Sequence, residues 1–342
     1  MSETTTSRLG ATLAGRDMIE RICEQILRRE RFLLTSHARP DGDSIGSQLA
    51  MAYALDALGK QVRIVNADAA PDHYRGFPGL DRIEISSQTD AQADALIVME
   101  CSDLTRTGVT GFENNYIINI DHHAGNRMYG ALNWFDESAA ACGEMVFDLI
   151  RSLGVPLTRE IATHIYLAIL TDTGSFHHSN ITPRTFDICR QTVEAGVNPA
   201  AMARRVFDSN SFGKLKLIGA LLNAMELIDN GHLAVLTIDD AMLDACGCTH
   251  NDTEGVINLP LTAREIQAVV FFKVVASGDV RVSMRSKYDV DVRLVASEHG
   301  GGGHKNAAGF TVPGPLETVR PGIIARLVTA IADGRRKVAG DE

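Results

Sequence analysis

Apolar residues in the first half of the chain come in short unbroken runs rather than in alternation. Phe32-Leu33-Leu34-Thr35-Ser36, Ala95-Leu96-Ile97-Val98-Met99 and Tyr116-Ile117-Ile118-Asn119-Ile120 are such runs, and Gln61-Val62-Arg63-Ile64-Val65 is a further strand-like stretch. Runs of five with no polar face read as strands buried on both sides. Between them lie stretches with helical spacing, near 17–29 and over 44–58, the latter rich in small residues and closed by Gly59. Strands separated by helices predict a parallel sheet with helices on both faces, in which ligands bind at the carboxyl ends of the strands.

From 139 to 195 the pattern turns helical, with helices expected at 140–153 and 159–170. Thr182-Pro183 opens a third helix that runs to Glu194, with Gly196 as its stop. Residues 199–228 continue the helical pattern with a break at Ser209-Asn210-Ser211. After Gly231 the character changes again. His232-Leu233-Ala234-Val235-Leu236 is strand-like, and Ser277-Gly278-Asp279 joins two β-rich runs as a hairpin. The chain therefore reads as an α/β protein of two domains. The first spans 15–195, a helical linker covers 196–228, and a smaller α/β domain covers 229–335, with residues 1–14 a polar, unstructured start.

A chain of 342 residues, 45% of them hydrophobic, is long enough for two full cores. No apolar run approaches the roughly 18 residues that span a bilayer, and the N-terminus lacks the layout of a secretion signal. No membrane association is expected. Six cysteines, at 23, 101, 142, 189, 246 and 248, show no framework spacing, which fits a reducing cytoplasm. The formal charge of −10 argues against tight binding of long duplex nucleic acid. It leaves room for a small phosphorylated substrate, because metal ions can supply positive charge locally.

Two clusters after apolar runs carry candidate chemistry. Asp121-His122-His123 follows one run, and His37-Ala38-Arg39-Pro40-Asp41-Gly42-Asp43 follows another. Asp41 and Asp43 flank Gly42 in what reads as a turn, where glycine tolerates conformations denied to other residues. Taken alone, Asp-Gly-Asp is also an ordinary solvated turn. Glu100, directly after Met99, and Asp172, in Thr171-Asp172-Thr173-Gly174, add carboxylates at two further element ends. Together His37, Asp41, Asp43, Glu100, His122 and Asp172 offer oxygen and nitrogen donors without thiolate, a set that suits Mn²⁺ or Mg²⁺. Six side chains exceed the needs of one ion. Two ions can clamp the attacking and leaving oxygens of a phosphoryl group, which points to phosphoester hydrolysis.

These segments, in this order, resemble the four motifs of the DHH phosphoesterase superfamily. Gly300 to Gly303 with His304, followed by Asn306-Ala307-Ala308-Gly309, resemble the signature of its DHHA1 companion domain. Length and order are most similar to the branch that cleaves short oligoribonucleotides (nanoRNA) and 3′-phosphoadenosine 5′-phosphate (pAp), the nanoRNase A type; some relatives cleave cyclic di-AMP or pApA. The resemblance implies that the active site lies in the cleft between the domains. It implies that His37 and Asp41 hold one ion, and that Asp43, His122 and Asp172 hold the other. The acid at position 100 would bridge them, and a bridging hydroxide would attack phosphorus. Mn²⁺ is the expected ion, with Mg²⁺ or Co²⁺ as substitutes. His123 would contact substrate phosphate, and Asp121 would orient the imidazoles. Arg285, Gly301, Gly302, Gly303 and His304 would bind the nucleotide. A homodimer is a further expectation of the resemblance.

The chain departs from the family at two places. The bridging residue is usually Asp, where this chain has Glu100, and Asp103 is a rival for the role. His177 stands where relatives often carry Arg, and Arg106 is near enough in sequence to bear on the site without an assigned role. Three other functions share parts of the pattern. They are a RecJ-like single-strand exonuclease, a family II-like pyrophosphatase, and a nucleotide sensor without catalysis.

Overall fold

The computed structural model describes residues 13–112, 114–275 and 277–340, except for the side chains of 13–15, 304 and 337–340. The polar start read over 1–14 therefore lies outside the described residues as far as 12. The chain divides into two units, Met1–Ser209 and Asn210–Glu342.

The first unit runs α1 (Leu13–Arg28), β1 (Arg31–Thr35), α2 (Gly42–Ala57), β2 (Gln61–Asn66), β3 (Ile83–Ile85), β4 (Ala95–Met99), β5 (Ile117–Asp121), β6 (Leu132–Phe135), α3 (Cys142–Ser152), α4 (Arg159–Asp172), α5 (Pro183–Glu194) and α6 (Pro199–Phe207). Its six strands form one sheet in the order β3-β2-β1-β4-β5-β6, every pair parallel. The unbroken apolar runs are thereby explained. Leu34 and Ile97 face one core, while Leu33, Leu96 and Val98 face another on the opposite side of the sheet. The strand order reverses between β1 and β4, which leaves a crevice at their carboxyl ends where no crossing connection covers the sheet. Strands β3 and β6 have no counterpart in the apolar runs; both lie at the sheet's edges and are short.

Helix α2 begins at Gly42 rather than at Ser44. What reads in sequence as an Asp-Gly-Asp turn is a helix start, with Asp41 as N-cap accepting from the Ser44 amide at 2.9 Å. Gly42 does not have a positive φ; that conformation belongs to Arg39, at 55°. Glycine is needed at 42 for space, since a Cβ there would lie 2.5 Å from the Thr171 side chain. Gly46, one turn on, would meet the His164 carbonyl at 2.5 Å. The small residues of α2 thus let α4 approach closely, which brings the end of α4 beside the start of α2.

The second unit runs α7 (Phe212–Asn223), β7 (Glu226–Ile228), β8 (Leu233–Ile238), α8 (Asp240–Cys246), β9 (Ala268–Val274), β10 (Val280–Ser286), α9 (Val292–Glu298), β11 (Gly302–His304), β12 (Ala307–Val312) and α10 (Leu316–Gly340). Its strands form a mixed sheet in the order β11-β12-β10-β9-β8-β7. The expected hairpin joins β9 to β10 in antiparallel register, Val274 opposite Val280. The segment 196–228 is shared between the units: Met202 and Val206 of α6 pack into the first core, and Leu217 and Leu221 of α7 into the second. Among the described residues no helix is long and apolar enough to cross a membrane.

Candidate metal centre

Three strand ends and two helix ends of the first unit supply the cluster. β1 leads to His37, β4 to Glu100 and β5 to Asp121-His122-His123. The start of α2 gives Asp41 and Asp43, and the end of α4 gives Asp172. Among the described residues three groups have ligand atoms within 4.8 Å of one another: His37 with Asp41 and Glu100, Asp43 with His122 and Asp172, and Glu100 with His122 and His123. Glu100 belongs to two of the three.

Asp43 is fully buried and anchored on both oxygens. Its Oδ2 accepts from the Cys142 amide at 2.6 Å, and its Oδ1 from Gly143 at 3.0 Å and from the Ser47 hydroxyl at 2.9 Å. The two amides are the first of α3, where a helix start favours negative charge. His122 donates from Nδ1 to the Ala139 carbonyl at 3.0 Å, which leaves Nε2 to face the cluster. That nitrogen lies 3.1 Å from Glu100 Oε1, 3.5 Å from Asp172 Oδ2 and 4.0 Å from Asp43 Oδ2. His37 places Nδ1 2.9 Å from the Ala38 carbonyl and Nε2 2.8 Å from the Ser44 hydroxyl, with Asp41 Oδ2 at 3.6 Å.

Asp121 does not orient both imidazoles, as the resemblance implied. Its Oδ1 lies 2.8 Å from His123 Nδ1 and its Oδ2 accepts from Asn126 at 2.6 Å, while His122 is held by a main-chain carbonyl. Asp103 is committed elsewhere: it caps the Thr105 amide at 2.9 Å and pairs with Arg127 at 2.7 Å, outside all three groups. Arg106 meets the His37 loop through its main chain, its carbonyl accepting from the Ala38 amide at 2.7 Å. His177 is exposed and enters none of the groups.

The electrostatics favour a cation. Glu100 is wholly buried, yet neither oxygen receives a well-directed hydrogen bond. Burial and the charge of Asp43 push its carboxyl well above the usual range. Burial and Asp43 likewise raise Asp172 to about 7, and burial raises Asp43 itself. Asp41 moves the other way: desolvation opposes the shift, but the hydrogen bond and charge of His37 hold it below the usual range. Burial should lower His122, but Glu100, Asp43 and Asp172 overcome it and push the ring up to about 11. In this cluster a proton on His122 balances crowded carboxylates. A divalent ion satisfies the same excess of charge and would displace that proton. The oxygen and nitrogen donors, the orphaned Glu100 oxygens and the fixed His122 tautomer all fit such an ion.

In the second unit, Arg285 on β10 is half-buried. Its guanidinium donates to the Met284 carbonyl at 3.0 Å, and burial lowers its pKa. Only the second half of the glycine run is strand. Gly302 and Gly303 pair antiparallel with β12 at the sheet's edge. Packing accounts for two of the glycines, since a Cβ would meet the Gly309 carbonyl at 2.4 Å from Gly301 and the Ala307 carbonyl at 2.3 Å from Gly303. Gly302 faces open space. The His304 side chain lies outside the described residues.

Several groups that build the centre have no signature in sequence. The Ala139 carbonyl and the Cys142 and Gly143 amides are main chain, so no residue type announces them. Ser44 and Ser47 had a signal available, since they follow Asp41 and Asp43 at the spacing of an N-cap and a helical turn.

The model of the DHH family, N-terminal domain, matches residues 31–169, and that of the DHHA1 domain matches residues 231–333. The bifunctional oligoribonuclease and PAP phosphatase NrnA of Thermus thermophilus is 33% identical over 282 residues, which cover 82% of this chain and 84% of that protein. Among solved structures, an exopolyphosphatase-related protein from Bacteroides fragilis superposes with a TM-score of 0.85 at 24% identity, over 92% of this chain and 96% of that one. RecJ of Thermus thermophilus, solved in complex with Mn²⁺, has a TM-score of 0.54 at 14% identity, over 95% of this chain and 55% of that one.

Proposed function

The chain belongs to the DHH family, and from that premise we propose that it is a divalent-metal-dependent phosphoesterase of short oligoribonucleotides and of pAp. The observation that carries this reading is the sharing of Glu100 between two ligand groups built only from oxygen and nitrogen donors. In this reading His37 and Asp41 hold one ion, Asp43, His122 and Asp172 hold the second, and Glu100 touches both. Mn²⁺ is the ion of choice, with Mg²⁺ or Co²⁺ as substitutes. When bound, the pair would supply Lewis-acid charge to a phosphoryl group and an acidified water.

The chain's own residues do the rest. The α3 amides orient Asp43 and oppose the effect of burial on its charge. The Ala139 carbonyl presents His122 through Nε2. Asp121 holds the His123 ring at Nδ1, and in this reading the ring, carrying a proton on each nitrogen, would donate from Nε2 to a phosphoryl oxygen, where negative charge develops. In the second unit, Arg285, Gly301, Gly302, Gly303 and His304 are the nucleotide-binding residues of this reading, with the Arg285 guanidinium as the phosphate contact. Six unpaired cysteines support a cytoplasmic location. A homodimer belongs to the same reading, and light scattering on the eluting protein checks it.

The test is one panel of substrates with Mn²⁺ or Mg²⁺: pAp, pApA, RNA dinucleotides to pentanucleotides, cyclic di-AMP, pyrophosphate and long single-stranded DNA. The expected result is phosphate from pAp and mononucleotides from the short RNAs, lost in His122→Ala and Asp43→Ala. Cleavage of pyrophosphate alone, processive degradation of long DNA, or no turnover of any nucleotide would overturn it.

A further inference from the structure

Two members of different strand and helix ends, His122 and Asp43, are held by one short piece of main chain. Ala139 through Gly143 is buried throughout. At one end the Ala139 carbonyl accepts from His122 Nδ1, at 3.0 Å. At the other, the Cys142 and Gly143 amides donate to the two oxygens of Asp43, at 2.6 and 3.0 Å. A shift of this strap moves an imidazole and a carboxylate together.

The strap is tied from outside the cluster. Asn180, between α4 and α5, donates from Nδ2 to the Ala140 carbonyl at 2.8 Å. The Ala140 amide donates to Glu144 Oε2 at 3.4 Å. Glu144 is buried, and its charge is met by Arg184 of α5, with Nη1 3.1 Å from Oε2. Arg184 Nη2 also donates to the Glu144 carbonyl at 3.0 Å and pairs with Asp148 at 2.5 Å. The planar guanidinium thus locks three acceptors of α3 at once, which a point charge could not do. Burying this ion triad gains little stability by comparison with apolar packing. Its placement, directly behind the strap, gives it a geometric use.

We propose that Arg184, Glu144 and Asn180 are positioning residues for the metal centre, acting through the 139–143 strap on His122 and Asp43 together. This rests on the metal reading given above. Outer partners of metal ligands set ligand orientation, and their loss typically weakens metal binding by about 10–100-fold.

The test measures Mn²⁺ binding to the full chain by titration calorimetry, with the Mn²⁺ electron paramagnetic resonance line shape as a second readout. Variants are Asn180→Ala, Arg184→Met and Arg184→Lys, with the core change Val155→Ala as a stability control. Asn180→Ala and Arg184→Met are expected to weaken Mn²⁺ binding by about tenfold or more and to broaden the spectrum. Arg184→Lys should fall between Arg184→Met and wild type. Val155→Ala should lower Tm and leave Mn²⁺ affinity within about twofold of wild type. If Arg184→Met does not fold, Asn180→Ala and Arg184→Lys decide the matter. Unchanged affinity in the variants, or equal weakening by Val155→Ala at matched Tm, overturns the proposal. Wild-type protein that binds no Mn²⁺ overturns the metal reading instead, so the two failures are told apart.

Discussion

His164 is a buried histidine far from the ligand groups, and it makes the fold sensitive to mild acid in a calculable way. It sits on α4, fully buried, with its ring stacked on Tyr53 at 5.7 Å between centroids. Nε2 donates to the Pro78 carbonyl at 2.9 Å, and Nδ1 has no partner. A second proton on Nδ1 would be buried without an acceptor, so burial lowers the pKa from 6.5 to about 4. Because the folded value lies below the unfolded one, the neutral ring stabilises the fold fully above pH 6.5. That contribution fades as pH falls from about 6.5 to about 4. At about 1.4 kcal/mol per tenfold change, the whole loss is about 3 kcal/mol, most of it gone by about pH 4.5. The assay is urea unfolding of wild type and His164→Phe from about pH 7.5 to 4.5, both in chelator. Phenylalanine keeps a flat ring on Tyr53 and cannot titrate. It strands the Pro78 carbonyl, a cost of about 1–3 kcal/mol that does not vary with pH. Wild type should therefore be the more stable protein at pH 7.5, and its advantage should shrink or reverse by pH 4.5. A difference between the two that stays constant across this range would refute the reasoning.

Three further outcomes are expected. Glu100→Gln should weaken Mn²⁺ binding by about 100-fold or more while Asp103→Asn changes it little, because Asp103 lies outside every ligand group; calorimetry on both variants checks the pair. Gly46→Ala should destabilise the first unit by roughly 1–3 kcal/mol, since its Cβ would sit 2.5 Å from the rigid His164 carbonyl. The helix-propensity gain of about 1 kcal/mol does not offset that clash, and a lower Tm reports it. Arg285→Ala should raise KM for pAp by about tenfold or more, with kcat nearly unchanged, through loss of a charge-assisted hydrogen bond; a fall in kcat alone would contradict a binding role.

What could be read from sequence follows a physical division. Strands β1, β4 and β5 were legible because a strand buried on both faces must be apolar along most of its length, whereas β2, exposed over its first half, was legible from its β-branched residues. β3 and β6 were not, because edge strands need less apolar surface. The helix start at Asp41 was read as a turn because Asp-Gly-Asp serves both, although Ser44, three residues on at N-cap spacing, favoured the helix. The ligand side chains were legible as types, and their order carried the family resemblance. Their supports were not, because the groups that orient His122 and Asp43 are carbonyl and amide groups that every residue possesses. The glycine run shows the converse. The resemblance implied nucleotide binding there, and packing against β12 separately requires glycine at two of its positions.

Glu100 joins these strands of the argument. Its φ of 59° is left-handed, a conformation that costs a non-glycine residue roughly 1–3 kcal/mol and persists only where its surroundings impose it. Its carboxylate is fully buried without a well-directed donor, a second cost at the same residue. Strand pairing explains the first only in part: the Glu100 amide still bonds the Ile120 carbonyl at 3.1 Å, so the chain leaves the sheet abruptly, immediately after its last ladder bond. The His122 ring, 3.1 Å from Oε1, offsets the second only in part. Glu100 and His122 each belong to two of the ligand groups, and a cation bound between them would offset the buried charge of Glu100. The extra methylene relative to aspartate belongs to that same geometry, so Glu100→Asp, which keeps the charge and shortens the reach, should lower Mn²⁺ affinity by about tenfold. An unchanged affinity would mean that the backbone turn, rather than side-chain length, sets the position of the carboxylate.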